Sequence, residues 1–336
     1  MKQTKQYKRK AWLAGVTTLF GLPLALAGGW IAYSKLAVDH NRPLPDAIAA
    51  KRDHFRASDG HRLSYYHDHQ AEGRPLVLIH SVNAAASAYE MRPLFLHYRA
   101  LRPVFALDLP GYGFSERAER AYSPPVFAQA IVDLLTTQVG EAADVVALSL
   151  GSEFAAQVAL TRPDLFRSLV LISPSGFNQS NEGNSSQAAG ANGAGDTVYS
   201  LLSRPLWRRP FFDLLATRRS IGYFLQKSFA GPVDSGLVDY AYLTSHQPGA
   251  EHVPLYFVSG QLFTPDAYET IYERVEVPTL VIYDQDAFVN FDRLPALLEK
   301  KPEWLAERIT PTRGLPHFEK LPEVTESIDR FWHTLK

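Results

Sequence analysis

The chain has 336 residues, 46% of them hydrophobic and 21% charged, with a formal net charge of −1. That length holds one large α/β domain with an insertion, or two ordinary domains, around a sizeable core. The near-neutral balance argues against general nucleic-acid binding, and the absence of cysteine excludes disulfides, thiolate metal sites and cysteine nucleophiles.

The chain opens with Lys2, Lys5, Lys8, Arg9 and Lys10, followed by an uncharged, mostly apolar stretch from Ala11 to Tyr33. As a helix rising about 1.5 Å per residue, that stretch reaches across a bilayer core of about 30 Å. The basic flank predicts a cytoplasmic start and an extracytoplasmic remainder, with the membrane as partner. Trp30 and Tyr33 stand where interfacial aromatics help an anchor, and Pro23 is tolerable in such a helix. Ala25-Leu26-Ala27 also resembles a signal-peptide cleavage site, so secretion after cleavage is the alternative. Residues 1–38 are therefore expected to be a basic flank plus anchor or signal, and 39–50 a tether.

From there the pattern is strand-like. Asp59-Gly60 predicts a hairpin turn between His54–Ala57 and Leu63–His67. Pro75 to His80 reads as a buried strand, Tyr89 to Tyr98 as a helix, and Pro103 to Asp108 as the next strand. Pro125 to Val139 predicts a helix, Ala143 to Leu148 a strand, Ser152 to Thr161 a helix and Ser168 to Ser173 a strand. Short apolar runs alternating with amphipathic helices indicate a mostly parallel sheet covered on both faces. Asn178 to Asp196, rich in Asn, Gly, Ser and Ala without periodicity, predicts a mobile loop. Val198 to about Tyr272 reads as helices with aromatics. The strand pattern resumes at Pro278 to Tyr283, then a helix at Leu294–Lys300, a short strand near Glu307–Thr310 and a last helix from Pro322. No internal repeat is visible.

The chemistry centres on Ser149, in Val145-Val146-Ala147-Leu148-Ser149-Leu150-Gly151-Ser152-Glu153. A serine flanked two residues away by Ala147 and Gly151, between a β-branched run and a helix, describes a nucleophile elbow. The turn is sharp enough that only small neighbours avoid a clash, and it places the hydroxyl at a helix N-terminus whose free N–H groups can stabilise an oxyanion. A serine hydroxyl needs a histidine to take its proton and an acid to orient that histidine. Asp284 and Asp286 follow the strand ending at Tyr283, and His317 lies in a loop before the last helix. The order Ser, Asp, His suits three groups projecting from one edge of a parallel sheet. His80, ending a strand at that edge, is expected to order a loop. His67 and His69 resemble a metal pair, but no matching cluster lies near them in sequence, so no metal is expected.

In combination, the elbow at Ser149, Asp108-Leu-Pro-Gly-Tyr-Gly-Phe-Ser115 after a strand, and the Gly314-x-x-His317 loop make the chain resemble the α/β-hydrolase fold family, over about Arg52 to Trp332. The relatives in view are serine esterases, haloperoxidases and C–C hydrolases with a helical cap after the sixth strand. The resemblance implies residues 51–176 and 276–336 as the two parts of the α/β-hydrolase core, with 177–275 as mobile loop and cap. It implies Ser149 as nucleophile, His317 as general base and acid, and Asp286 as the orienting acid, with Asp284 second. It implies backbone N–H groups of Leu150 and Val82 as oxyanion hole, and no cofactor. The family usually has His-Gly where this chain has His80-Ser81, so Asn83 or the Ser81 hydroxyl is an alternative donor. Ala147 stands where Gly is commoner at the elbow, and Tyr283 where Gly usually precedes the acid.

Serine at the elbow points to acyl transfer rather than the alkyl chemistry of aspartate-bearing relatives. The expected activity is hydrolysis of a small carboxylic ester with an apolar part. C–C bond hydrolysis, amidase or perhydrolase chemistry, or a noncatalytic ligand-binding role, are the alternatives. Leu201, Leu202, Leu206, Trp207, Phe211, Phe212, Leu214, Leu215, Phe224 and Leu225 give the insertion its own core and a candidate pocket lining. Arg204, Arg208, Arg209, Arg218, Arg219 and Lys227 against Asp213 give it a basic face that could rest on anionic headgroups.

Overall fold

A computed structural model of the protein describes residues 26–178 and 194–335. Eight strands form one sheet in the order β1-β2-β4-β3-β5-β6-β7-β8. They are β1 (Lys51–Arg56), β2 (Arg62–Asp68), β3 (Leu76–Ile79), β4 (Val104–Asp108), β5 (Ala143–Leu148), β6 (Phe166–Ile172), β7 (Thr279–Tyr283) and β8 (Trp304–Arg308). β1 and β2 form the expected hairpin around Gly60, whose φ of +86° suits a residue without Cβ. β2 runs antiparallel to β4, and every later pairing is parallel.

The sheet is covered on both faces, and the period-two geometry of a strand shows how. Val77, Ile79, Phe105, Leu107, Val145, Ala147, Leu169 and Leu171 join one hydrophobic cluster. Their immediate neighbours Leu76, Leu78, Val104, Ala106, Val146, Leu148, Val170 and Ile172 join another. Successive side chains point to opposite faces, so an unbroken apolar run is what a doubly covered strand requires.

Helix α1 spans residues 26–37, α2 Arg92–Tyr98, α3 Pro124–Leu134 and α4 Gly151–Thr161. Between β6 and β7 stand helices Ala194–Leu202, Arg208–Leu215, Arg218–Lys227, Ser235–Ser245 and His252–Val258, where the helical insertion was expected. Most of the expected anchor or signal segment and of the expected mobile loop lies outside the described residues. Among the described residues, no helix is long and apolar enough to cross a membrane. Two boundaries differ from expectation. Asp196 sits in the first turn of helix Ala194–Leu202, where a carboxylate suits the helix dipole, rather than in a loop. β8 starts at Trp304, three residues before the expected strand, because pairing with Thr279 to Tyr283 sets its register.

α1 is fixed to the insertion through a buried carboxylate. Asp213 accepts from Ser34 Oγ at 2.6 Å, His40 Nε2 at 2.9 Å and Arg209 Nε at 2.9 Å, while Trp30 Nε1 donates to the Pro210 carbonyl at 2.7 Å. The expected tether is largely exposed from 39 to 46 and pinned near its end. Ile48 is buried, and the Ala47 N–H donates to the Tyr66 hydroxyl at 2.9 Å. Much of the insertion's basic face is neutralised internally: Arg208 pairs with Glu119, Arg209 with Glu251 as well as Asp213, and Arg218 with Asp239.

Candidate active site

Ser149 follows β5 with φ at +50°, in the left-handed region that side chains usually avoid. Its N–H donates to the Ile172 carbonyl at 2.9 Å, which holds the turn to the end of β6. The small neighbours have a visible cause. A Cβ on Gly151 would lie 2.3 Å from the His80 carbonyl oxygen, so only glycine lets α4 press on the loop after β3. Ala147 is fully buried in the strand before the turn. Ser149 itself is part-exposed.

That loop is built on His80. The Leu109 N–H donates to His80 Nε2 at 3.0 Å, so this nitrogen carries the lone pair and Nδ1–H donates to the Ser81 carbonyl at 2.5 Å. Burial drives the imidazole pKa down to about 4, so His80 is a neutral bracket between two loops, as expected of it. Asp108 fastens the other side. Its carboxyl accepts from the Ala88 N–H at 3.1 Å and the Phe114 N–H at 2.9 Å.

Ser81, the departure from His-Gly, is absorbed by a residue that sequence reasoning passed over. The Ser81 N–H donates to Glu90 Oε2 at 2.9 Å, and Asn83 Nδ2 donates to Glu90 Oε1 at 2.9 Å and to Ser81 Oγ at 2.8 Å. Asn83 Nδ2 is thus spent on Glu90 and on Ser81 Oγ rather than turned outward as an alternative oxyanion donor. The backbone N–H groups of Val82 and Leu150 donate to no acceptor among the described residues. Glu90 had one signal in the sequence: it is the lone charged residue from His80 to Met91.

His317 lies in the short helix Pro316–Glu319 and is fully buried. Its Nε2 donates to the Glu90 carbonyl at 2.7 Å, and its Nδ1 has no partner among the described residues. A carbonyl only accepts, so Nε2 bears the proton and Nδ1 the lone pair. Burial lowers this imidazole's pKa to about 4. The His317 loop is also tied to the insertion, since the Leu315 N–H donates to the Ser228 carbonyl at 3.2 Å. Glu319 Oε1 accepts from the Ala230 and Gly231 N–H groups at 2.8 and 2.9 Å.

The two aspartates after β7 separate cleanly. Asp284 is buried and bound to the Thr312 N–H at 2.9 Å and Arg308 Nε at 2.7 Å. Burial pushes its pKa up, but Thr312 and Arg308 outweigh that and hold it below the usual value. Its valences serve the β7–β8 connection. Asp286 is part-exposed, and the protein packed around it pushes its carboxyl up to about 6 against the Phe288 and Val289 N–H groups. Its Oδ2 lies against Gly314, where a Cβ would come within 2.8 Å, three residues before His317. Ser149, Asp286 and His317 thus come from the C-terminal ends of β5 and β7 and the loop after β8. No hydrogen bond joins the three among the described residues. His67 Nε2 bonds Asp53 at 2.9 Å, and no cluster of three or more metal-ligating side chains occurs among the described residues.

The sequence matches the model of the alpha/beta hydrolase family over residues 76–324, well over half of the chain. The chain belongs to the alpha/beta hydrolase family. Within this family it is similar to a 2-hydroxymuconate semialdehyde hydrolase of Pseudomonas sp. (strain CF600), 34% identical over 114 residues, which is 33% of this chain and 40% of that protein. It is also similar to an uncharacterized hydrolase of Bacillus subtilis (strain 168), 31% identical over 115 residues, 34% of this chain and 41% of that one. The chain thus spans about two fifths of the length of these curated relatives. Among solved alpha/beta hydrolases it resembles a serine hydrolase involved in carbazole degradation, with TM-score 0.66 and 16% identity over 85% of this chain and 100% of that chain. It resembles a membrane phospholipase A with TM-score 0.62 and 17% identity over 100% of this chain and 99% of that chain. Identities this low speak for the fold alone.

Proposed function

We propose that this hydrolase works by acyl transfer through Ser149, with carboxylic esters bearing an apolar part as substrates. The observation that carries the reading is the strained elbow. Ser149 sits at φ +50° ahead of α4, with Gly151 pressed on the His80 carbonyl and the Leu150 and Val82 N–H groups unspent among the described residues. In this mechanism Ser149 Oγ attacks the ester carbonyl as His317 takes its proton. The two N–H groups hold the oxyanion, and the alcohol leaves with the proton from His317. Water then attacks the acyl-enzyme by the reverse proton route. Asp286, ionised at neutral pH, is assigned to stabilise the imidazolium. The reading requires His317 to exchange the Glu90 carbonyl for Ser149 and Asp286 as substrate enters.

The helical insertion between β6 and β7 is assigned as the cap over the site, and the apolar stretch Ala11–Tyr33 behind its basic flank as a membrane anchor whose last turn, with Trp30 on the Pro210 carbonyl, docks on the insertion. The likeness to the 2-hydroxymuconate semialdehyde hydrolase favours C–C bond hydrolysis as the second reading, since the same serine chemistry serves it. A fluorophosphonate probe tests the nucleophile. Wild type is expected to label and Ser149→Ala is not; a folded wild type that stays unlabelled refutes the reading in favour of a noncatalytic ligand binder. Hydrolysis of p-nitrophenyl esters of graded acyl length, against a vinylogous 1,5-diketone acid, separates ester from C–C hydrolysis.

A further inference from the structure

Glu90 is 5% exposed, and no lysine or arginine contributes to its electrostatics among the described residues. A buried carboxyl without a cation is costly, so it persists only where its geometry is needed. Three contacts supply that geometry. Oε2 accepts from the Ser81 N–H at 2.9 Å, Oε1 accepts from Asn83 Nδ2 at 2.9 Å, and the backbone carbonyl accepts from His317 Nε2 at 2.7 Å. The first two contacts flank Val82, whose N–H is the proposed oxyanion donor; the third holds the proposed base. Both carboxyl oxygens face donors. Only a group with two acceptors satisfies them, and an amide would turn its NH2 on one of them.

We propose that Glu90 is a positioning residue that registers the oxyanion loop against the general base. This rests on the serine-hydrolase reading above. Glu90 touches no reacting atom: its carboxyl fixes the loop that presents Val82, and its carbonyl fixes where His317 waits. Movement of the loop as an oxyanion forms is felt at His317 through one residue. The Ser81 N–H and the Asn83 amide bring donors to this loop, and the Glu90 carboxyl answers both.

The test measures kcat and KM on a p-nitrophenyl ester, with Tm alongside, for wild type, Glu90→Gln, Asn83→Ala and the double variant Asn83→Asp/Glu90→Gln. Glu90→Gln is expected to lower kcat by about 10-fold or more, somewhat less than the loss of an oxyanion donor itself, with KM little changed. In the double variant the new amide donates to the new carboxylate, and the Ser81 and Ala85 N–H acceptors remain, so kcat is expected to recover most of that loss. A residue that merely fills space would show a fall in Tm and no rescue. Wild-type kcat in Glu90→Gln, or a loss that the double variant leaves unrepaired, overturns the proposal. Should Glu90→Gln not fold, Asn83→Ala decides: a several-fold loss of kcat supports the brace, and wild-type kcat refutes it. If wild type itself neither labels nor hydrolyses esters, the serine-hydrolase reading has failed and takes this role with it. An active wild type with unaffected variants removes Glu90 alone.

Discussion

Replacing Gly151 with alanine adds one methyl group at the tightest point of the elbow. The new Cβ would lie 2.3 Å from the His80 carbonyl oxygen, 3.2 Å from its carbon and 3.3 Å from Ile79 Cγ2. An ordinary carbon–oxygen contact needs about 3.3 Å or more, so α4 and the loop after β3 must part by about 1 Å. The first two atoms belong to backbone that His80 and Leu109 hold, so no side chain can swing aside. Overpacking of this kind costs about 1–3 kcal/mol, and the helix preference of alanine over glycine returns less than about 1 kcal/mol at a first turn. The net loss of about 1–2 kcal/mol corresponds to a Tm lower by about 1.5–3 °C in a chain of this size. Activity should suffer more, because a displacement of about 1 Å between nucleophile and oxyanion donors costs about 100-fold. Thermal unfolding and the rate of fluorophosphonate labelling are measured on the same preparation. The reasoning fails if Gly151→Ala keeps its Tm and labels within about twofold of wild type.

Asp286→Asn should lower kcat by about 10⁴-fold with little effect on folding. Asp284→Asn, which loosens Arg308 and Thr312, should lower Tm and leave most of kcat. Ester kinetics and melting curves reversed between the two would move the orienting acid to Asp284. Glu153, buried against Ser175 and the Thr264 N–H, has its carboxyl pushed by burial from 4.5 to about 7. Between those values the folded protein holds a proton that the unfolded chain has released, so stability falls as pH rises through this window and levels off above it. The urea midpoint of wild type should decline over that range, and Glu153→Gln, neutral throughout, should lose the slope; equal slopes would refute the assignment. Charge reversal at Arg208 and Arg209 tests whether the insertion's basic face binds anionic vesicles. With Arg208 paired to Glu119 and Arg209 to Glu251 and Asp213, the expected result is a loss of stability and little change in sedimentation with liposomes.

Much of the architecture was legible because strands buried on both faces leave an unmistakable trace. Leu76 to Ile79 and Ala143 to Leu148 are apolar throughout, and turn residues bracket each run. The elbow was legible for the same reason: a local steric demand writes itself into neighbouring positions, here Ala147 and Gly151. What escaped depends on partners far apart in the chain. Glu90 meets His317 across 227 positions and Ser34 meets Asp213 across 179, and no local pattern marks either pair. β8 was misplaced because Trp304-Leu305-Ala306 lacks β-branched residues, and its strand state is imposed by β7. Asn83 reads in the sequence as an alternative oxyanion donor, yet in the fold its Nδ2 is spent on Glu90 Oε1 and Ser81 Oγ.

The node at Asp213 changes what counts as the edge of the folded unit. Its side chain is 1% exposed, and two of its three partners, Ser34 and His40, precede the first strand. A protein trimmed to the sheet and its insertion would not shed a tail. It would open the floor under helix Arg208–Leu215 and leave a sealed carboxylate to Arg209 alone. Such a fragment is expected to be less stable than the full chain and looser in the insertion around helix Arg208–Leu215. Among the described residues, the folded unit therefore includes α1 from residue 26 and does not begin at the sheet's first strand.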